Sequence, residues 1–170
     1  MKSEILGAAK SVLIKKGLAA WTIEDVAREA HCAKGLVNYH YKTKAKLLAQ
    51  VGESLREDRV ARRLAALENE GATALDALWN TLTAEVRTGE LAAWLSLSAL
   101  HDPTVHYGLR SQARELLKLE EAASRALAVR DPNLGQLIDS VLTGFQVALL
   151  NGHEDQVVRE AYHRFWLGLL

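Results

Sequence analysis

Apolar residues return every three or four positions along almost the whole chain, and they never alternate with polar ones over the length of a strand. That spacing lines one face of an α-helix, whereas a half-buried strand needs a period of two. β-Branched residues, the other strand signal, rarely cluster. The two prolines, Pro103 and Pro132, each follow an aspartate. Asp-Pro opens a helix: the carboxylate caps free N–H groups, and proline at the first helical position loses no hydrogen bond. The chain is therefore expected to be all-α.

About nine helices are expected. The first runs from about Ser3 to Lys16, with Ile5, Leu6, Ala9, Val12 and Leu13 on one face and Gly17 as its stop. The second opens at Thr22 with Asp25 three residues on, the spacing of a capping box, and buries Ile23, Val26, Ala27 and Ala30. It stops at His31-Cys32-Ala33, and a short third helix covers Lys34 to Tyr41. The fourth starts after Thr43, carries Leu47, Leu48, Val51 and Leu55, and reaches about Leu67. Five more follow: one marked by Leu75, Leu78, Trp79, Leu82 and Val86, one near 91–100, a long one from Pro103 to about Val129, one from Pro132 to Asn151, and one from near Glu154 onward. No linker, repeat or low-complexity tract interrupts them.

A length of 170 residues suits one domain, or one plus a small module, and 49% hydrophobic residues suffice for a sizeable core. The single Cys32 allows no internal disulfide, which fits a reducing cytoplasm. Glu4 and Lys10 interrupt what would be the apolar part of a signal peptide, and no uncharged run is long enough for a bilayer, so no membrane association is expected. Residues 1–50 hold nine basic and four acidic residues, leaving twelve and seventeen for the rest. A basic head on an acidic body points the head at a polyanion.

Within the head, AKGLVNYHYKTK (33–44) is polar and basic, and only Leu36 and Val37 look apolar enough to anchor it. Two short helices joined by a tight turn form a helix-turn-helix when the second can enter the major groove of DNA. Lys34, Asn38, Tyr39, His40 and Lys42 would then face outward, and Gly35 would let the helix approach a base closely. Residues 22–48 resemble the DNA-binding head of the tetracycline-repressor (TetR) family, with matches at Thr22, Val26, Ala27, Ala30, Gly35, His40, Thr43, Lys44, Leu47 and Leu48. The resemblance implies that Lys34, Leu36, Asn38 and Tyr39 read bases. It also implies that Tyr39, His40, Thr43 and Lys44 clamp phosphates, with Thr22 and Gly35 completing the DNA-binding set. Three positions depart from the family pattern. His31 stands in place of the turn glycine, Ala33 in place of the serine that caps the recognition helix, and Asn38 in place of a tyrosine.

The resemblance further implies a head of residues 1–48 and an effector-binding, dimerising body of 49–170. A double-stranded operator, a small-molecule effector and a second copy of the chain would be its partners. The last two helices carry the stripes a four-helix dimer interface needs, with Leu134, Val141, Phe145, Val158, Tyr162, Phe165, Trp166 and Leu169 as candidates. The same stripes can instead serve the protomer's own core. Trp79, Trp94, Ser98, His101, His106, Tyr107, Phe145 and Gln146 mix aromatic and polar groups as a small-molecule pocket does, although Trp79 and Trp94 also suit a core. Trp94-Leu95, His101-x-Pro103 and Leu137-Ile138-Asp139 weakly resemble the choline-responsive betaine-synthesis repressors of the same family. That likeness does not carry the ligand over.

An enzyme is the first rival, but HExxH, a Gly-rich phosphate loop and GxSxG are all missing, and no catalytic residue, metal ligand or cofactor is expected. A helical scaffold that never touches DNA is the second. It explains the body and leaves the basic head unexplained.

Overall fold

The computed structural model describes residues 1–110, 113–129 and 133–169. Among them are ten α-helices: α1 (Lys2–Lys16), α2 (Ile23–Glu29), α3 (Lys34–Tyr41), α4 (Lys44–Ala66), α5 (Gly71–Arg87), α6 (Glu90–Ser98), α7 (Pro103–Leu109), α8 (Ala113–Leu127), α9 (Leu134–Leu150) and α10 (Asp155–Leu167). The all-α reading holds, and most boundaries fall within two residues of those expected. One expected helix is two. Asp102 opens α7 by accepting from the Thr104 and Val105 N–H groups at 2.8 and 3.2 Å. Arg110 then turns to extended backbone (φ −65°, ψ 123°) and ends it. The second Asp-Pro, at Pro132, lies outside the described residues.

The helices pack as two compact units, Met1–Glu57 with Thr88–Arg110, and Asp58–Arg87 with Ser111–Leu170. This division differs from the one expected at residue 48, because α6 and α7 return to the head. Leu97, Val105 and Leu109 join Ile5, Ala9, Val12, Val26, Val37, Val51 and Leu55 in its core. Gly108 permits this: a Cβ there would lie 2.4 Å from the Ala49 carbonyl oxygen, so α7 and α4 meet backbone to backbone. Arg56, itself buried, donates to the Gly108 and Arg110 carbonyls at 3.0 Å each and so satisfies the C-terminal end of α7.

In the second unit α9 is the central helix and packs against α5, α8 and α10. Its close approach to α8 depends on Gly135, where a Cβ would fall 2.1 Å from the Leu116 carbonyl oxygen. Trp79, Phe145 and Trp166 surround the Tyr162 ring at centroid distances of 5.3, 5.7 and 6.1 Å. The Tyr162 hydroxyl donates to the Leu75 carbonyl at 2.7 Å. Burial raises its pKa, so this donor stays protonated.

Candidate nucleic-acid interface and helical body

Local caps and tertiary contacts build α3 and its support. The Thr22 hydroxyl oxygen accepts from the Asp25 N–H at 3.1 Å and donates to the Asp25 carboxylate at 2.9 Å, which starts α2. His31 takes the left-handed conformation expected of a turn glycine, with φ 50°. Ala33 gives α3 no side-chain cap. What holds α3 is therefore tertiary: Val37 and Tyr41, one turn apart, are both buried, and the Tyr41 hydroxyl donates to the Lys2 carbonyl at 2.8 Å. Val37 is thus the principal anchor, and Leu36, offered above as a base reader, is half-buried against the head core.

The opposite face of α3 is open. Lys34, Gly35, Asn38 and Tyr39 are exposed, Tyr39 at 67%, while His40 is half-buried. A Cβ on Gly35 would meet nothing within 4 Å, so the glycine leaves a flat approach. The Lys42 ammonium stands 4.9 Å from the Tyr39 ring centroid. Beyond α3, the Thr43 hydroxyl oxygen accepts from the Lys46 N–H at 3.1 Å and caps α4. Lys44 is exposed at that helix N-terminus, the position that favours a phosphate.

One residue that positions this end was missed in the sequence. Trp21 is 1% exposed and its indole N–H donates to the Ala9 carbonyl at 3.0 Å. Lys44 donates to the Trp21 carbonyl at 3.2 Å, with its ammonium 5.2 Å from the indole centroid. The legible signal was an aromatic residue immediately before the capping Thr22, with Val26 four positions after it, the arrangement of a hydrophobic staple.

The carboxylates of α2 are matched by neighbouring bases. Glu29 pairs with Lys15 at 2.7 Å, Asp25 with Lys16 at 2.8 Å and Arg28 at 2.9 Å, and Glu24 with Lys34. A hydrogen bond from the partner lysine is the first cause that holds each of the three carboxyls below its ordinary pKa. The Lys34–Glu24 pair is half exposed on both sides, so it offers little resistance to exchange for a nucleic-acid contact.

The expected pocket residues fall into both units. In the first, Trp94 is half-buried and Ser98 donates to the Trp94 carbonyl at 3.0 Å. There too His101 is exposed, His106 Nε2 lies 3.2 Å from the Ser98 carbonyl oxygen, and Tyr107 is 81% exposed. In the second, Trp79 is core, Phe145 is half-buried and Gln146 is fully buried. Gln146 belongs to a polar seam between α4, α5 and α9 that sequence reasoning did not single out. It donates to Glu85 at 2.6 Å and accepts from Arg59 at 3.0 Å. Arg59 Nε lies 3.4 Å from Glu85, Arg62 lies 3.1 Å from the same carboxylate, and Arg63 pairs with Asp139. Burial first, then the Arg63 charge, pushes the Arg59 pKa down to about 10, which leaves it protonated at neutral pH. The seam's signal was a run of arginines at helical spacing in α4 facing a glutamate on the apolar face of α5.

Of the residues expected at a dimer interface, Leu134, Val158, Tyr162 and Trp166 are buried within the protomer itself. Val141, Phe145, Phe165 and Leu169 are half-buried.

A short uncapped helix with a polar outer face, seated on two others and followed by a helix start bearing lysine, is a helix-turn-helix head. Residues 5–51 match the family model described as bacterial regulatory proteins, tetR family. The head is 37% identical over 51 residues to the HTH-type transcriptional regulator QacR of Staphylococcus aureus, covering 30% of this chain and 27% of that protein. It is 33% identical over 63 residues to the HTH-type transcriptional regulator TtgR of Pseudomonas putida, covering 36% and 30%. The chain thus spans less than a third of the length of these relatives. The fold is shared along nearly the whole chain with solved structures. The multidrug binding protein EbrR complexed with ethidium superposes with a TM-score of 0.71 at 24% identity, covering 96% of each chain. A transcriptional regulator from Rhodococcus sp. Rha1 superposes with a TM-score of 0.74 at 18% identity, covering 99% and 95%. Among the described residues no helix is long and apolar enough to cross a membrane.

Proposed function

We propose that the chain is a ligand-responsive transcriptional regulator that binds a palindromic operator as a homodimer and represses until a small molecule releases it. The observation that carries this reading is the exposed face of Lys34, Gly35, Asn38 and Tyr39 on a helix fixed from behind by Val37 and Tyr41. Residues 1–48 supply DNA binding, and 49–170 supply effector binding and dimerisation, in the cytoplasm and without catalysis. One recognition helix reads too few bases for useful specificity, so two heads are required. The partner would meet Val141, Phe145, Phe165 and Leu169, which keep exposed area, and the exposed Val157 and Leu167 beside them.

Release follows from linkage. An effector that favours a dimer with wrongly spaced heads weakens operator binding by the same coupling free energy with which the operator weakens effector binding. Helix α4, continuous from Lys44 to Ala66, carries a phosphate-facing lysine at one end and the arginines of the body at the other. To test the reading, the purified chain is mixed with fragmented DNA of its own genome and the retained fragments are sequenced. An inverted repeat, lost with Tyr39→Ala or Lys44→Ala in a still-folded dimer, supports it. Retention without a motif, abolished by modest salt, reduces the head to backbone attraction and favours a scaffold.

A further inference from the structure

Lys42 closes α3 on a strained turn. Its backbone stands at φ 63° and ψ −47°, and the Thr43 N–H donates to the Tyr41 carbonyl across it at 2.7 Å. That is the three-residue γ-turn of positive φ, a conformation glycine takes freely and a β-carbon resists. The Lys42 N–H donates to the Asn38 carbonyl at 2.9 Å, but that donor belongs to the backbone and any residue except proline supplies it. The reason for lysine lies in its side chain. Lys42 is exposed, and its ammonium stands 4.9 Å from the centroid of the exposed Tyr39 ring. Of the three lysines flanking the open face of α3, Lys34 is paired with Glu24 and Lys44 donates to the Trp21 carbonyl. Lys42 has neither a carboxylate nor a carbonyl partner for its ammonium among the described residues. The ring orients its charge without cancelling it.

Resting on the reading of the head as a nucleic-acid interface, we infer that Lys42 is a phosphate-contacting residue outside the set that the family resemblance implies, its ammonium held ready by the Tyr39 ring. Strained backbone persists where the surrounding structure fixes it, and it gathers at ligand contacts. Here it is fixed from both sides, by the buried Tyr41 before it and by the Thr43 cap of α4 after it. The turn therefore delivers the ammonium to one place, where the exposed face of α3 gives way to the first turn of α4. A primary ammonium is a compact point charge with no planar edge, so it suits a phosphate rather than a paired contact with a base.

The test is fluorescence anisotropy of a labelled duplex of roughly 30 base pairs and mixed sequence, titrated with the full chain across a salt series. Phosphate contacts carry no sequence information, so this duplex reads them without an operator. Lys42→Gly should lower the slope of log affinity against log salt by about 0.9 per head, which is about eightfold in affinity near 0.1 M salt. Lys42→Arg, which keeps the charge and the stacking, should leave the slope unchanged. Because glycine accepts the positive φ, Lys42→Gly should also raise the melting temperature by about 2 °C, which separates lost binding from lost folding. In the Tyr39→Ala chain Lys42→Gly should cost less affinity than in the unaltered chain, because the ring no longer holds the ammonium. Slope and affinity unchanged by Lys42→Gly, while Lys44→Ala lowers both, overturn the inference and leave the DNA-binding reading standing. A lower slope with a lower melting temperature also overturns it, since the loss would then follow from damage to the turn. A Lys42→Gly cost identical with and without Tyr39 overturns the part assigned to the ring. Failure of the unaltered chain to bind the duplex at about 20 mM salt overturns the DNA-binding reading itself.

Discussion

Tyr39 and Tyr41 stand two residues apart on α3 and face opposite ways, so they separate reading from folding. Tyr39 is 67% exposed and its described contacts are the His40 ring and the Lys42 ammonium. Tyr39→Ala should therefore change folding stability by no more than about 0.5 kcal/mol. If each of two heads loses one contact worth about 1 kcal/mol, the dimer loses about 2 kcal/mol, roughly thirtyfold in operator affinity. Tyr41 is 5% exposed and its hydroxyl donates to the Lys2 carbonyl. Tyr41→Phe keeps the ring and removes that bond, about 1 kcal/mol or roughly 2–4 °C in melting temperature for a chain of this size, while sparing the reading face. Thermal melts by circular dichroism read the first quantity, and anisotropy of a labelled operator fragment reads the second. If Tyr39→Ala lowers the melting temperature as far as Tyr41→Phe does, or if Tyr41→Phe weakens the operator as far as Tyr39→Ala does, the assignment of faces is wrong.

Lys44→Ala should lower the slope of log affinity against log salt by about 0.9 per head, the signature of one lost phosphate contact, as measured by anisotropy across a salt series. Gly35→Ala should stabilise α3 by up to about 1 kcal/mol, because the added methyl has open space and glycine is a poor helix former, yet it should cost operator affinity by blocking close approach. Melts and binding would then move in opposite directions. Glu24, Asp25 and Glu29 have pKa values below their ordinary 4.5, 3.8 and 4.5 in the folded head, so the stability they contribute is present above those values and is lost as pH falls through the lower folded ones. Melting temperature should hold from neutral pH to about 5 and decline below about 4, and Glu29→Gln should make the decline shallower.

The parts legible in advance were those decided within a few residues. Thr22, Thr43 and Asp102 cap helices because a side-chain oxygen two or three residues from an N–H needs no tertiary help. Gly17 (φ 72°) stops α1, and His31 takes its positive φ, for equally local reasons. Apolar faces were legible where one face has one neighbour, as at Leu47, Leu48, Val51 and Leu55 in α4. Two readings kept alternatives open because periodicity says that a face is buried but not by what. Of the dimer candidates, Leu134, Val158, Tyr162 and Trp166 are buried in the protomer's own core, the other use the stripes allowed. Of the pocket candidates, Trp79 is core in one unit and Trp94 is half-buried in the other. The arginine seam was hidden for the converse reason: charge at helical spacing reads as a solvated face until Glu85, Asp139 and Gln146 arrive from helices far along the chain.

The departures from the family pattern bear on how such a head could be controlled. An eight-residue helix is not stable alone, and α3 lacks an N-cap bond as well. Its position is therefore dictated by what it rests on, namely Val37 and Tyr41 in the core and the Tyr41 bond to the start of α1. Lys44 hangs on the same helix, since it donates to the Trp21 carbonyl and the Trp21 indole donates to the Ala9 carbonyl midway along α1. The exposed face of α3 and the Lys44 end of α4 are thus tied to α1 at two points about seven residues, or roughly 10 Å, apart. To move one against the other would break buried or half-buried hydrogen bonds, so the head acts as a rigid piece. If the chain dimerises and responds to an effector as proposed, the spacing of two rigid heads is the inexpensive thing to change, and an effector that works by melting α3 would contradict this bonding pattern.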